Sequence, residues 1–132
     1  MMERLDAVPL PLTADPRFTG AVAGWHHRPD GDPRLHAYVV RFAAGSRTAW
    51  HSHAHGQLLV GQSGAGWVGT RDGRVVRLVP GVAVWTDPGE EHWHGADADQ
   101  AMIHLAVQTA PPGGDSVTWL EPVVLAGTGG HR

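Results

Sequence analysis

Glycine and proline interrupt this chain so often that long helices cannot form. Eighteen glycines and ten prolines are spread over 132 residues, and each costs a helix interior backbone entropy or a hydrogen bond. The stretches between them alternate instead of repeating every three or four residues. Residues 36–43 carry Tyr38, Val39, Val40 and Phe42. Residues 101–108 set His104, Ala106 and Gln108 on one face and Ile103, Leu105 and Val107 on the other. Residues 64–71 and 74–79 flank Asp72-Gly73, a two-residue hairpin signal. Shorter strands are expected at 20–24, 48–53, 57–61, 82–86 and 117–120. Many short strands at roughly 8–12-residue spacing predict an all-β sandwich or barrel. The length suits one domain with a real core. Its expected organisation is an N-terminal arm and short strand over residues 1–35, a barrel over 36–122 and a tail over 123–132.

The reactive chemistry is concentrated in Trp50-His51-Ser52-His53-Ala54-His55-Gly56-Gln57, answered later by His92-Trp93-His94. Extended backbone alternates faces with a period of two, so His51, His53 and Gln57 point the same way. Three donors on one face, joined by a histidine from a neighbouring strand, can close around one cation, and neutral imidazole is the commonest metal ligand. His55 falls in phase with His53, but the Gly56 kink is expected to turn it to solvent. Glu90 and Glu91 are read as a solvated turn, and Trp50, Trp67, Trp85 and Trp93 as core. His26 and His27, before a loop, are read as exposed, and His36, at the start of a strand, as exposed or capping the barrel end.

Composition removes other chemistries. All ten basic residues are arginine and there is no cysteine, so Schiff bases, thiol nucleophiles, thiolate ligands and disulfides are excluded. The formal net charge is −3 without a basic cluster, which argues against nucleic acid. No apolar run approaches the roughly 20 residues of a membrane span, and the N-terminus shows no basic-then-apolar leader pattern, so a cytoplasmic protein is expected. Low charge, at 17%, and an apolar arm carrying Leu5, Val8, Leu10, Leu12 and Phe18 predict a homodimer or homotetramer.

The spacing also carries a resemblance. Gly45, His51, His53, Gln57 and Gly64, separated by five, one, three and six residues, resemble the first motif of the cupins, which normally has Glu where this chain has Gln57. The stretch from Gly81 to Pro88-Gly89-Glu90-Glu91-His92 is similar to the second motif. Arg47-Thr48-Ala49-Trp50-His51, His53, Gly56-Gln57, Val84-Trp85, Pro88-Gly89-Glu90, His92-Trp93-His94-Gly95-Ala96, His104-Leu105-Ala106 and Gln108 together resemble the small manganese-dependent bacterial cupin hydroxynitrile lyases. Kin of those lyases are described as carboxymuconolactone-decarboxylase-associated cupins. The resemblance implies a single-domain double-stranded β-helix, the cupin jelly-roll barrel. It implies His51, His53, Gln57 and His92 as metal ligands, with His104 and Gln108 lining the pocket. It also implies manganese and a small-molecule substrate. His94, on the face of His92, is a third catalytic candidate, as a base, as a hydrogen-bond donor, or packed against Trp93.

Gln in place of Glu leaves four neutral ligands, so a divalent ion keeps its full charge and acts as a stronger Lewis acid. Oxygen and imidazole donors suit Mn, and also Fe, Co, Ni or Zn. The expected reaction is reversible cyanohydrin cleavage to an aldehyde and cyanide. In it His104 takes the hydroxyl proton, as an imidazole titrating near ~6.5, and Gln108 orients the nitrile or carbonyl. The alternatives are an Fe(II)-dependent dioxygenase-type cupin and a non-enzymatic small-molecule-binding cupin.

Overall fold

The computed structural model describes residues 1–12, 15–111, 114 and 116–125. Part of the turn expected at 111–114, and the expected tail from residue 126 onward, lie outside the described residues. Thirteen strands follow in chain order: β1 (Val8–Leu10), β2 (Phe18–Thr19), β3 (Val22–His27), β4 (Leu35–Phe42), β5 (Arg47–Thr48), β6 (His51–His53), β7 (Gln57–Gly64), β8 (Gly66–Thr70), β9 (Val75–Leu78), β10 (Ala83–Thr86), β11 (His92–Ala96), β12 (Met102–Thr109) and β13 (Val117–Trp119). No helix occurs among the described residues, and therefore none long and apolar enough to cross a membrane.

The strands form two sheets. One has the order β1-β3-β4-β12-β7-β10; the other runs β13-β6-β11-β5-β2, with β8 pairing both β11 and β9. Every pairing is antiparallel. The sheets curl against each other into the expected jelly-roll barrel. Strands β1 and β3 lie at one edge of the six-stranded sheet, so the segment before residue 36 extends the barrel wall.

Alternation decides what faces inward. On β12, Met102, His104, Ala106 and Gln108 are buried, whereas Ile103, Leu105 and Val107 are half-buried on the outer face. A bulge in β7 sets Ile103 opposite Ser63 and His104 opposite Gly61, leaving Gln62 as the extra residue. Phe42, Leu59, Val68, Leu78, Ala96, Met102 and Ala106 form the apolar core. Phe42 ends this core against the imidazoles, its ring centroid 5.3 Å from His104 and 5.8 Å from His94.

The hairpin at Asp72-Gly73 differs from expectation by one residue. The Thr70 N–H donates to the Arg74 carbonyl at 3.0 Å, which makes a three-residue loop of Arg71-Asp72-Gly73. Gly73 takes the left-handed φ of 86° that such a loop requires. The Asp72 carboxylate accepts from the Thr70 hydroxyl and the Arg74 N–H, and this local cap competes with a two-residue turn.

Candidate metal centre

Strand β6 carries His51 and His53 inward, both buried, with Ser52 half-exposed between them. Gly56, at φ 80°, then turns the chain. This turn leaves His55 exposed and starts β7 with Gln57 buried. Strand β11 lies beside β6 with His92 directly opposite His51. Period two on one strand and register on the next therefore bring three imidazoles together. One ligand nitrogen from each of His51, His53 and His92 lies within 4.8 Å of the others. The rings of His51 and His92 are 4.3 Å apart between centroids, and those of His51 and His53 5.1 Å.

Two of the tautomers follow from backbone contacts. The Nδ1–H of His51 donates to the Ala49 carbonyl and that of His92 to the Glu90 carbonyl, both at 2.9 Å. Burial lowers the proton affinity of both rings, that of His51 well below the ordinary imidazole value. Both are neutral, and the lone pair of each sits on Nε2. The carboxamide of Gln57 completes the group. Its N–H donates to Gln108 Oε1 at 2.8 Å, which turns its own Oε1 to 3.0 Å from His92 Nε2. An imidazole lone pair and a carbonyl lone pair facing each other in a buried site repel unless something electrophilic lies between them. Three imidazoles and one amide oxygen are a donor set for a divalent transition ion, and the residues present fit that group.

Beyond the three-histidine cluster, His94 Nδ1 lies 2.9 Å from His104 Nε2. The His94 backbone N–H is pinned to the Thr48 hydroxyl at 3.2 Å. The remaining ring nitrogens, His94 Nε2 and His104 Nδ1, are buried with no hydrogen-bond partner among the described residues. Burial pushes His104 down to about 4, and holds His94 well below the usual imidazole range with help from His104. This corrects the expectation of a base titrating near ~6.5. That value describes a hydrated imidazole, whereas His104 has no solvent-exposed surface at all. Gln108 is also not a free pocket amide, since its carbonyl is engaged by Gln57.

His51, His53, Gln57, His94, His104 and Gln108 line one cavity of about 220 Å³, with His92 buried behind them. Its described lining contains no aspartate or glutamate, and Arg17 is its one arginine. Sequence reasoning missed much of the wall: Leu10, Leu12 and Phe18 from the N-terminal segment, Tyr38 on β4, and Val117 and Trp119 on β13. The signals for them were the apolar arm, for Leu10, Leu12 and Phe18, and the strands expected at 36–43 and 117–120 for the others. The other expectations divide. Glu90 orients the site through its backbone carbonyl, and its side chain accepts from the Asp87 N–H. Glu91 pairs with Arg71. Trp93 is buried, but Trp85 is 54% exposed. His26 and His36 are half-buried: His26 Nε2 is 2.9 Å from His36 Nδ1, and the His26 ring stacks on Tyr38 at 4.5 Å.

Comparison with known proteins adds the following. A family model described as "Cupin domain" matches residues 38–108. A protein of Granulicella tundricola named (R)-mandelonitrile lyase is 47% identical over 93 residues, 70% of each chain. Among solved structures, a cupin-like protein from Thermotoga maritima is 35% identical and superposes with a TM-score of 0.74 over 81% of each chain. The polyketide cyclase RemF from Streptomyces resistomycificus is 19% identical, with a TM-score of 0.71 over 92% of this chain and 88% of that one; it shares the fold.

Proposed function

This chain belongs to the cupin family, and we propose that it is a metal-dependent lyase cleaving cyanohydrins reversibly to an aldehyde and cyanide. The observation that carries the reading is the convergence of His51, His53, His92 and the Gln57 carbonyl beside a separate buried imidazole pair, with His51, His53, Gln57, His94 and His104 lining one cavity. The name of the Granulicella tundricola relative supports the choice of reaction. His51, His53, His92 and Gln57 would hold a divalent ion, manganese by resemblance. When bound, that ion supplies Lewis-acid stabilisation of the negative charge developing on the substrate oxygen.

The residues of the chain handle the proton. His104 is the base, and its bond to His94 makes the two rings a unit sharing one proton. Whichever ring holds that proton, one of the two partnerless nitrogens, His94 Nε2 or His104 Nδ1, carries a lone pair and the other an N–H. The pair therefore takes the hydroxyl proton at one atom and can return a proton to departing cyanide from the other. As the O–H bond breaks, its electrons form the aldehyde carbonyl, and the C–CN electron pair leaves with cyanide. Protons balance over the cycle. The amide N–H end of Gln108 orients the nitrile or carbonyl. Val40, Phe42 and Ala106 keep that end of the cavity apolar, so water competes poorly for the base.

The test uses purified protein, analysed for metal and then assayed for benzaldehyde release from mandelonitrile before and after chelation. Release that stops with chelator and returns with Mn(II) is expected. No release, or release indifferent to chelator, would overturn the proposal.

A further inference from the structure

We propose that Gln108 is a positioning residue, holding the Gln57 carboxamide so that its oxygen, and not its NH2 group, faces the three imidazoles. This rests on the reading of Gln57 as a metal donor and goes beyond it by naming what makes an amide serve there. An amide is a ligand only through its oxygen; turned over, it offers two N–H donors that a cation repels. A carboxylate, which occupies this position in most cupins by the resemblance described above, has two equivalent oxygens and needs no such control. Replacing Glu by Gln therefore creates an orientation problem, and this chain carries a group placed to solve it.

The placement follows from strand register. Strand β12 runs antiparallel to β7 with Val107 opposite Leu58, so one step further Gln108 and Gln57 occupy facing positions. Both side chains point into the barrel, 9% and 4% exposed. Gln57 Nε2 donates to Gln108 Oε1 at 2.8 Å, and Gln57 Oε1 consequently stands 3.0 Å from His92 Nε2. With little water to satisfy it, the Gln57 N–H end is fixed by the acceptor that Gln108 supplies. Removing that acceptor frees the carboxamide to turn.

The experiment measures Mn(II) binding by titration calorimetry on metal-stripped, full-length protein in five forms: wild type, Q108L, Q57E, Q57E/Q108L and Q57A. Partners that orient a ligand are typically worth about 10–100-fold in metal affinity. Q108L is expected to lose that factor when residue 57 is Gln and to lose nothing when it is Glu. General damage from a buried leucine would appear in both backgrounds, so equal losses in the two would overturn the proposal, as would no loss in either. A Gln57→Ala protein binding Mn(II) as tightly as wild type would instead remove the ligand reading itself.

Discussion

Trp119 lies against the imidazole of His51, ring centroids 4.6 Å apart and planes 30° from parallel. The contact follows from register, since β13 pairs with β6 and sets Trp119 directly opposite His51. The Trp119 ring is tilted against Phe18 at 5.8 Å, and the Arg17 guanidinium lies 5.5 Å from its centroid. The three-residue strand β13 thus covers one face of a candidate ligand, and this part of the cavity wall becomes a layer of arginine, tryptophan and imidazole.

Trp119→Ala should remove that cover. Full truncation of a buried tryptophan costs about 3–5 kcal/mol; Trp119 is only half-buried, so roughly 1–3 kcal/mol is expected. Trp119→Phe should recover most of it by keeping an aromatic ring on His51. Urea unfolding of the metal-free proteins measures both. A Trp119→Ala midpoint equal to wild type would mean that the ring contact contributes nothing.

Metal should stabilise the folded chain, because the donors of β6, β7 and β11 converge only when those strands are paired. At Mn(II) a hundredfold above its dissociation constant, linkage gives about 2.7 kcal/mol, or on the order of 10 °C in melting temperature for a domain of this size. Chelator should abolish the shift, and His92→Ala should show none at any Mn(II) concentration. Thermal melts of the two proteins with Mn(II) and with chelator decide it. An equal shift in the variant would place the ion elsewhere.

His104→Asn separates chemistry from metal binding. His104 touches His94 and Phe42 but does not belong to the three-imidazole cluster. Elemental analysis should find wild-type metal content, while turnover of mandelonitrile falls about 10²–10⁴-fold, the usual worth of one positioned acid–base group. Loss of metal along with activity would make His104 a support of the site and not its base.

The candidate ligands on β6 were readable in the sequence because their geometry is local. His51 and His53 share a face by strand alternation alone, and the Gly56 turn that exposes His55 is written in one residue. Much of the rest of the site was not readable. Strand β13 has three residues and β2 two, too short for any periodicity, so nothing marked Trp119 or Phe18 as cavity wall until sheet pairing placed them. His26, just before a loop, looked exposed, yet the pairing of β3 with β4 sets it opposite Tyr38, and the rings stack. The link from Gln57 to Gln108 likewise spans 51 positions and depends on the register of β12.

Burial of His104 also has a consequence for pH. The folded chain holds this ring neutral down to about 4, whereas the unfolded chain protonates it near ~6.5. Above ~6.5 neither state binds the proton, and the contribution of His104 to stability is complete. As pH falls through the interval between the two values, the unfolded state gains a proton that the folded state refuses, and stability declines by up to roughly 1.4 kcal/mol per pH unit for this one ring. Below about 4 both states are protonated and the decline from this group stops. In metal-free protein, the His104 ring-proton NMR shift should stay constant from pH 7 to 5 and move near 4, and wild-type stability should fall more steeply than that of His104→Asn between ~6.5 and 4. A midpoint near ~6.5 would mean that the ring is hydrated in solution, and the dry base on which the proposed chemistry relies would be lost.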